Sequence, residues 1–216
     1  MTLAKVIRSI RKCELESKRD AGEVTLIAVS KVQPVEKIEK VLTAGHKDFG
    51  ENRVQEAWSK WPTLKEQYED VKLHLLGPLQ TNKVDQAVRI FDVIHSLDRE
   101  RLAEKLASSM KKLNKDIELF VQVNFENEEQ KSGIRVNDLE KFLRVCVDKY
   151  NLNITGLMCI PPMHKDPKNF FIELKSLAKE NNLPKLSMGM SSDYQEAVYN
   201  GATHVRVGTA IFGERN

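Results

Sequence analysis

The sequence predicts an α/β fold: a single (β/α)8 TIM barrel over residues 1–216, with an extra helix at its N-terminus. Three observations carry this reading. Eight short β-branched or apolar runs recur along the chain, and each but the last is followed by a stretch with helical periodicity. Strands that alternate with helices form right-handed βαβ units and a parallel sheet. A chain of 216 residues is near the small end for eight such units. An open doubly wound sheet is the runner-up, weakened because no Gly-x-Gly-x-x-Gly run follows the first strand.

Residues 3–20 carry Leu3, Val6, Ile7 and Ile10 on one stripe and read as the leading amphipathic helix. The first strand spans 24–30. Pro34 suits the first turn of a helix running to Thr43 and ending at Gly45. A short strand covers 47–50, and a helix covers 53–67, interrupted at Pro62. The third strand, 72–76, stops at Gly77-Pro78. A short helix (82–89), a strand (92–96) and a helix (99–113) follow, the last with Asp98 as its N-cap. The fifth strand is 117–124, and a long charged loop leads to a helix over 138–150. The sixth strand, 153–160, ends at Pro161-Pro162. A helix (167–181), a strand (185–188), a helix (193–200) capped by Gly201 and a strand (203–207) complete the order. There is no internal repeat, low-complexity segment or linker.

Composition excludes several classes. The 34 basic and 31 acidic side chains nearly balance, giving +3, which offers no reason to expect nucleic acid or a membrane surface. No apolar run approaches the ~20 residues of a spanning helix, and the first residues lack the apolar core of a signal peptide. Cys13, Cys146 and Cys159 are odd in number and far apart, which argues against disulfides or zinc and for a reduced, cytoplasmic protein. The five histidines show no metal-ligand spacing. His74 and His204 are expected to point into the barrel as hydrogen-bonded core residues.

Chemistry in such a barrel gathers at the carboxyl ends of the strands. Lys31 ends the first strand and shares a face with Val29 and Ile27. It is either an amine at a pocket mouth, nucleophilic when desolvated, or an ordinary surface lysine. Glycine, serine and threonine concentrate after the last two strands, in Gly189-Met190-Ser191-Ser192 and Gly208-Thr209. Phosphate sites in barrels lie there, although plain turn chemistry uses the same residues. Arg206 lies opposite Val205 and Val207 and is expected to point inward. It then needs an acceptor: a phosphate, a ring nitrogen or a barrel carboxylate. An amine, a phosphate site and an inward arginine suit a phosphorylated aldehyde held as a Schiff base, and fit a sugar-phosphate aldolase less well.

Longer motifs run through the same positions. They are Val29-Ser30-Lys31-Val32-Gln33-Pro34, Phe49-Gly50-Glu51-Asn52-Arg53-Val54-Gln55-Glu56 and His74-Leu75-Leu76-Gly77-Pro78-Leu79-Gln80-Thr81-Asn82-Lys83. Lys131-Ser132-Gly133, Gly156-Leu157-Met158-Cys159-Ile160-Pro161-Pro162, Leu186-Ser187-Met188-Gly189-Met190-Ser191-Ser192-Asp193 and Val205-Arg206-Val207-Gly208-Thr209-Ala210-Ile211-Phe212-Gly213 follow. In order and spacing, from residue 24 onward, these resemble the signatures of the pyridoxal phosphate homeostasis proteins, relatives of the alanine racemase barrel.

The resemblance implies a fold-type III barrel binding pyridoxal 5′-phosphate (PLP). Lys31 would hold the aldehyde carbon. Ser191, Gly208 and Thr209 would bind the phosphate, Arg206 would face the pyridine nitrogen, and Asn52 would lie beside the ring. The implied role is intracellular PLP (vitamin B6) homeostasis without catalytic turnover. The alternatives are a PLP-dependent amino-acid racemase-like enzyme and a barrel that uses Lys31 on a sugar phosphate. An arginine at the pyridine nitrogen disfavours its protonation and weakens the ring as an electron sink. Racemases sharing this barrel add a β-rich domain and a tyrosine base from a partner subunit. Here no second domain is expected, so the cofactor's outer face should be open to water. A monomer is expected, with apo PLP-dependent enzymes as possible acceptors. Met158, Met188 and Met190 are candidates to line the pocket or fill the barrel. Lys83 and Lys131 read as solvated charges or as transit sites for the cofactor.

Overall fold

The computed structural model describes residues 2–126, 132–162 and 164–213. Among them the strands are β1 (Thr25–Val29), β2 (Asp48–Glu51), β3 (Lys72–Leu75), β4 (Val93–Leu97), β5 (Glu118–Asn124), β6 (Ile134–Arg135), β7 (Ile154–Met158), β8 (Lys185–Ser187) and β9 (His204–Val207). The helices are α1 (Leu3–Glu16), α2 (Val35–Thr43), α3 (Val54–Gln67), α4 (Val84–Ile90), α5 (Glu100–Leu113), α6 (Leu139–Arg144), α7 (Pro167–Glu180), α8 (Tyr194–Tyr199) and α9 (Thr209–Phe212). Every strand but β6 joins a parallel ring in the order β4-β3-β2-β1-β9-β8-β7-β5, closed by pairing of β4 with β5. This is the expected eight-stranded barrel. Residues of β6, expected to be loop, pair with the end of β5 outside the ring.

Strand alternation sorts the side chains into two cores. Leu26, Phe49, Leu75, Ile94, Val121, Leu157 and Val205 face outward into one shell with helix residues such as Ala57, Trp61 and Leu174. Val93, Phe120 and Met158 pack inside the ring. Gly156 also faces in, where a Cβ would meet Lys185 O at 2.2 Å and Phe120 Cε1 at 2.7 Å, so only glycine leaves room for the phenyl ring. His95 stacks on Phe120, with centroids 4.4 Å apart and planes 7° apart, and His204 meets the same ring edge-on at 5.1 Å. His74 and His204 are interior and hydrogen-bonded, as expected; His95 joins them although the sequence reading did not place it there.

Local expectations differ at several places. Helix α1 ends at Glu16, four residues before the expected limit, and its Glu14 carboxylate turns inward to accept the Val24 N–H at 2.7 Å. Pro62 lies inside an unbroken α3, because burial of Ala57, Trp61 and Leu64 offsets the lost backbone hydrogen bond. Asp98 does not cap α5: Arg99 occupies the N-cap position and its guanidinium pairs with the Asp98 carboxylate. The helix expected over 138–150 is a 3₁₀ turn, then α6, then a π-helical stretch Val145–Lys149 that buries Cys146 and leaves Val147 outside. No described helix is long and apolar enough to cross a membrane.

One buried amine joins β1, β2 and α3. Lys60 Nζ lies 2.7 Å from Glu51 Oε1 and 2.8 Å from Glu56 Oε1, and donates to Ser30 O at 3.1 Å. Glu51 Oε1 also accepts from Ser30 Oγ at 2.8 Å and Trp61 Nε1 at 3.0 Å. Burial raises the Glu51 pKa; Lys60 and these donors oppose the rise.

Removing the amine leaves Glu51 buried without its ion-pair partner among the described residues. Lys60→Met is expected to cost about 3–5 kcal/mol in urea unfolding, and Glu51→Gln in the same chain to recover much of it. A single-variant loss below about 1 kcal/mol would show that the pair is not needed. Acid should also unfold the barrel early. Burial drives His204 down to about 3 and His95 well below 6.5. The unfolded chain therefore takes up these protons first: stability is full above pH ~6.5 and falls as pH drops towards 3, by about 1.4 kcal/mol per pH unit for each histidine. Urea midpoints at pH 7, 6 and 5 measure the slope, which His204→Gln should reduce by one proton.

Candidate functional site

The barrel's carboxyl-terminal mouth holds a cavity of about 260 Å³, and Lys31, Asn52, Ser191, Arg206, Gly208 and Thr209 all line it. Val29, Gln33, Leu76, Ile160, Met190, Ser192 and Gly213 complete the wall.

Lys31 is half-buried and continues the inward face of β1 beside Val29. The chain turns sharply just after it. Val32 adopts φ +62°, left-handed backbone that a β-branched residue rarely takes, at a cost of about 1–3 kcal/mol. The residue is 68% exposed, so no packing of its own holds it there. The turn is held instead by its backbone. Val32 N–H donates to Glu56 Oε1, and Gln33 N–H to Ser30 O at 3.1 Å. Glu56 is itself fixed by Lys60. Lys31 thus stands half-buried at the mouth of the cavity.

Arg206 is 5% exposed and reaches the floor of the cavity. Its Nη1 donates to Ser187 Oγ and its Nη2 to Cys159 O, both at 2.8 Å. Neither acceptor is a carboxylate, so the expected alternative of a direct barrel salt bridge is not what holds it. Burial lowers the guanidinium's pKa, while the Asp193 carboxylate acts the other way.

The two rim loops after β8 and β9 are tied together. Gly208 N–H donates to Ser191 Oγ at 3.2 Å, and Asp193 Oδ1 accepts the Met190 N–H at 2.6 Å. Gly189 permits the first loop: its φ is +90°, and a Cβ would sit 2.5 Å from the Ala197 Cβ. A second cavity of about 680 Å³ adjoins it, walled by Pro78, Asn124, Phe125, Pro161 and His164. The two share Asn52, Leu76 and Ile160.

Other sequence candidates fall elsewhere. Met190 lines the cavity, whereas Met158 fills the barrel interior and Met188 packs in the outer shell. Cys159 is fully buried, its thiol pushed up to about 12, and its contribution to the site is a backbone carbonyl. Lys83 ends a 3₁₀ turn, Thr81–Lys83, and lines neither cavity. Lys131 lies outside the described residues. Ser187 and Glu56 are the contributors that sequence reading missed. Each stood inside a quoted motif, Ser187 as a hydroxyl alternating with Leu186 and Met188 in a buried strand, but neither borders the cavity itself.

Comparison with known proteins agrees with this fold. The family model for the N-terminal domain of alanine racemase matches residues 13–216. A pyridoxal phosphate homeostasis protein of Aquifex aeolicus is 37% identical, the match covering 99% of this chain and 96% of that protein. The structure of PipY from Synechococcus elongatus PCC7942, with PLP bound, is 39% identical with a TM-score of 0.84, covering 95% of this chain and 99% of PipY. Alanine racemase from Corynebacterium glutamicum shares the fold at 17% identity and TM-score 0.64; all of this chain matches 62% of the racemase. The chain belongs to the alanine racemase N-terminal domain family, and within it to the pyridoxal phosphate homeostasis proteins.

Proposed function

We propose that this chain binds pyridoxal 5′-phosphate in the mouth cavity and serves PLP homeostasis by holding and releasing the cofactor without catalytic turnover. The observation that carries the reading is the convergence of an amine, two hydroxyl-bearing rim loops and a buried guanidinium on one small cavity. PipY, the relative with PLP bound, supports it.

The donor set fits the cofactor part by part. Bound PLP supplies an aldehyde that condenses with amines and a ring that withdraws electrons. Lys31 Nζ would join the aldehyde carbon as a C=N bond, with one water released. Ser191 and Thr209 hydroxyls and the Gly208 backbone would grip the phosphate. Arg206, which can only donate, would present an N–H to the pyridine nitrogen and keep a proton off it. Asn52 would flank the ring.

Among the described residues lining the cavity, Lys31 and Arg206 are the ionisable ones. A racemase needs a base on each face of the substrate carbon; this wall offers Lys31 for one, and the second would have to come from a partner subunit. In the proposed monomer no partner supplies it, which suits a carrier, with apo PLP-dependent enzymes as the proposed recipients. Residues 1–216 would act as one domain in a cytoplasmic monomer.

Loaded with PLP and reduced with borohydride, the protein should gain one cofactor mass on the peptide containing Lys31. Lys31→Ala should abolish that adduct and the visible absorption band; an unchanged band would refute the assignment. Ser191→Ala removes one hydrogen bond to an anion, worth about 1.5–3 kcal/mol, so its dissociation constant for PLP should rise roughly tenfold to a hundredfold. Deuterium uptake at Cα from a panel of amino acids, at ordinary enzyme rates, would overturn the carrier reading in favour of the racemase-like one.

A further inference from the structure

Behind Arg206 lies a buried polar chain that does not border the cavity. Ser187 Oγ, which receives the Arg206 Nη1 donor, is 2.8 Å from His95 Nδ1. His95 Nε2 is 3.0 Å from His74 Nδ1, and His74 Nε2 is 3.1 Å from Asp48 Oδ1. Ser187, His95 and His74 are each at most 1% exposed. The chain crosses the barrel from β9 through β8, β4 and β3 to β2.

Its two ends fix its direction. An arginine only donates, and an ionised aspartate only accepts. Asp48 therefore takes a proton-bearing Nε2 from His74. With His74 neutral, its Nδ1 must accept from His95 Nε2, and His95 Nδ1 must accept the Ser187 hydroxyl. Ser187 then has its lone pairs turned to Arg206. The opposite direction would give Ser187 two donors and leave its own proton without an acceptor in a fully buried position. One arrangement satisfies every group, and in it both histidines carry their proton on Nε2.

We infer that His95 and Ser187 are positioning residues for Arg206: the one-way chain Arg206→Ser187→His95→His74→Asp48 locks the guanidinium plane so that its remaining N–H groups face the cavity. The second lock is Cys159 O on Nη2. With both terminal nitrogens engaged, the plane cannot swing. Phe120, stacked on His95, holds the ring in the plane the chain needs. This rests on the proposed PLP site, since a ring edge is what the fixed donors would meet.

The test uses the full chain loaded with PLP, reading the wavelength of the visible band and the dissociation constant. His95→Phe keeps the ring and deletes both nitrogens. It should shift the band in the direction given by Arg206→Gln and raise the dissociation constant about two- to tenfold. His95→Gln restores an acceptor and a donor on one carbon and should return both readouts towards wild type. Ser187→Ala, which changes little volume, should reproduce the His95→Phe shift and serves if His95→Phe does not fold. Leu174→Ala, a truncation in the outer shell, should lower the urea midpoint while leaving the band in place. An unchanged band and affinity in folded His95→Phe or Ser187→Ala would overturn the inference. Absence of any band in the wild-type protein would instead refute the PLP reading on which it stands.

Discussion

The amine of Lys60 is the constraint on which the mouth of the barrel depends. It gathers acceptors from three elements: the last carbonyl before Lys31, the carboxylate ending β2 and the first turn of α3. A desolvated lysine is costly, and three acceptors around one amine offset the cost, although Glu51 Oε2 stays buried without a partner among the described residues. Two carboxylates share one cation, and burial of Glu51 raises its pKa accordingly. Glu56, held from behind by Lys60, can then reach the Val32 N–H and keep a β-branched residue at positive φ. Strain at Val32 is thus balanced by an ion pair one layer further out, and Lys31 inherits its direction from both.

That arrangement explains which features could be read from sequence. The ring of strands was legible because apolar runs and their bounding glycines and prolines are local signals. The inward placement of Arg206 and the outward placement of Val205 and Val207 follow from period two alone. All six candidate residues sit at the carboxyl ends of strands, where the architecture concentrates chemistry, and all six meet in one cavity.

What sequence did not reveal depends on contacts across the ring. Pro62 reads as a break until Trp61 and Leu64 are seen buried against the strands on either side of it. Asp98 reads as a cap until its neighbour's guanidinium takes the carboxylate. His95 and Ser187 are 92 positions apart in the chain and touch only because the closed sheet brings β4 and β8 to one axis. No local pattern encodes that meeting. Glu56 is similar: a glutamate in the first turn of a helix has an ordinary reason to be there, and its grip on Val32 appears only when β1 and α3 are packed together.

The interior of the barrel is more polar than an apolar filling would require. Arg206 is buried with neutral acceptors on both terminal nitrogens, and Asp193 acts on its charge only through space. A guanidinium with no direct counter-ion is expensive to bury, and hydrophobic residues of similar volume would fill the barrel at lower cost. The polar chain through Ser187, His95 and His74 spreads the cost over dipoles aligned in one direction, ending on the negative charge of Asp48. On the proposed reading, the remaining imbalance at the cavity face is met by an electron-rich ring edge and by the phosphate nearby. A barrel that served packing alone would have little reason to carry this arginine. One that must recognise a small anionic heterocycle, and give it up again, needs the fixed donor even at a loss of stability when empty.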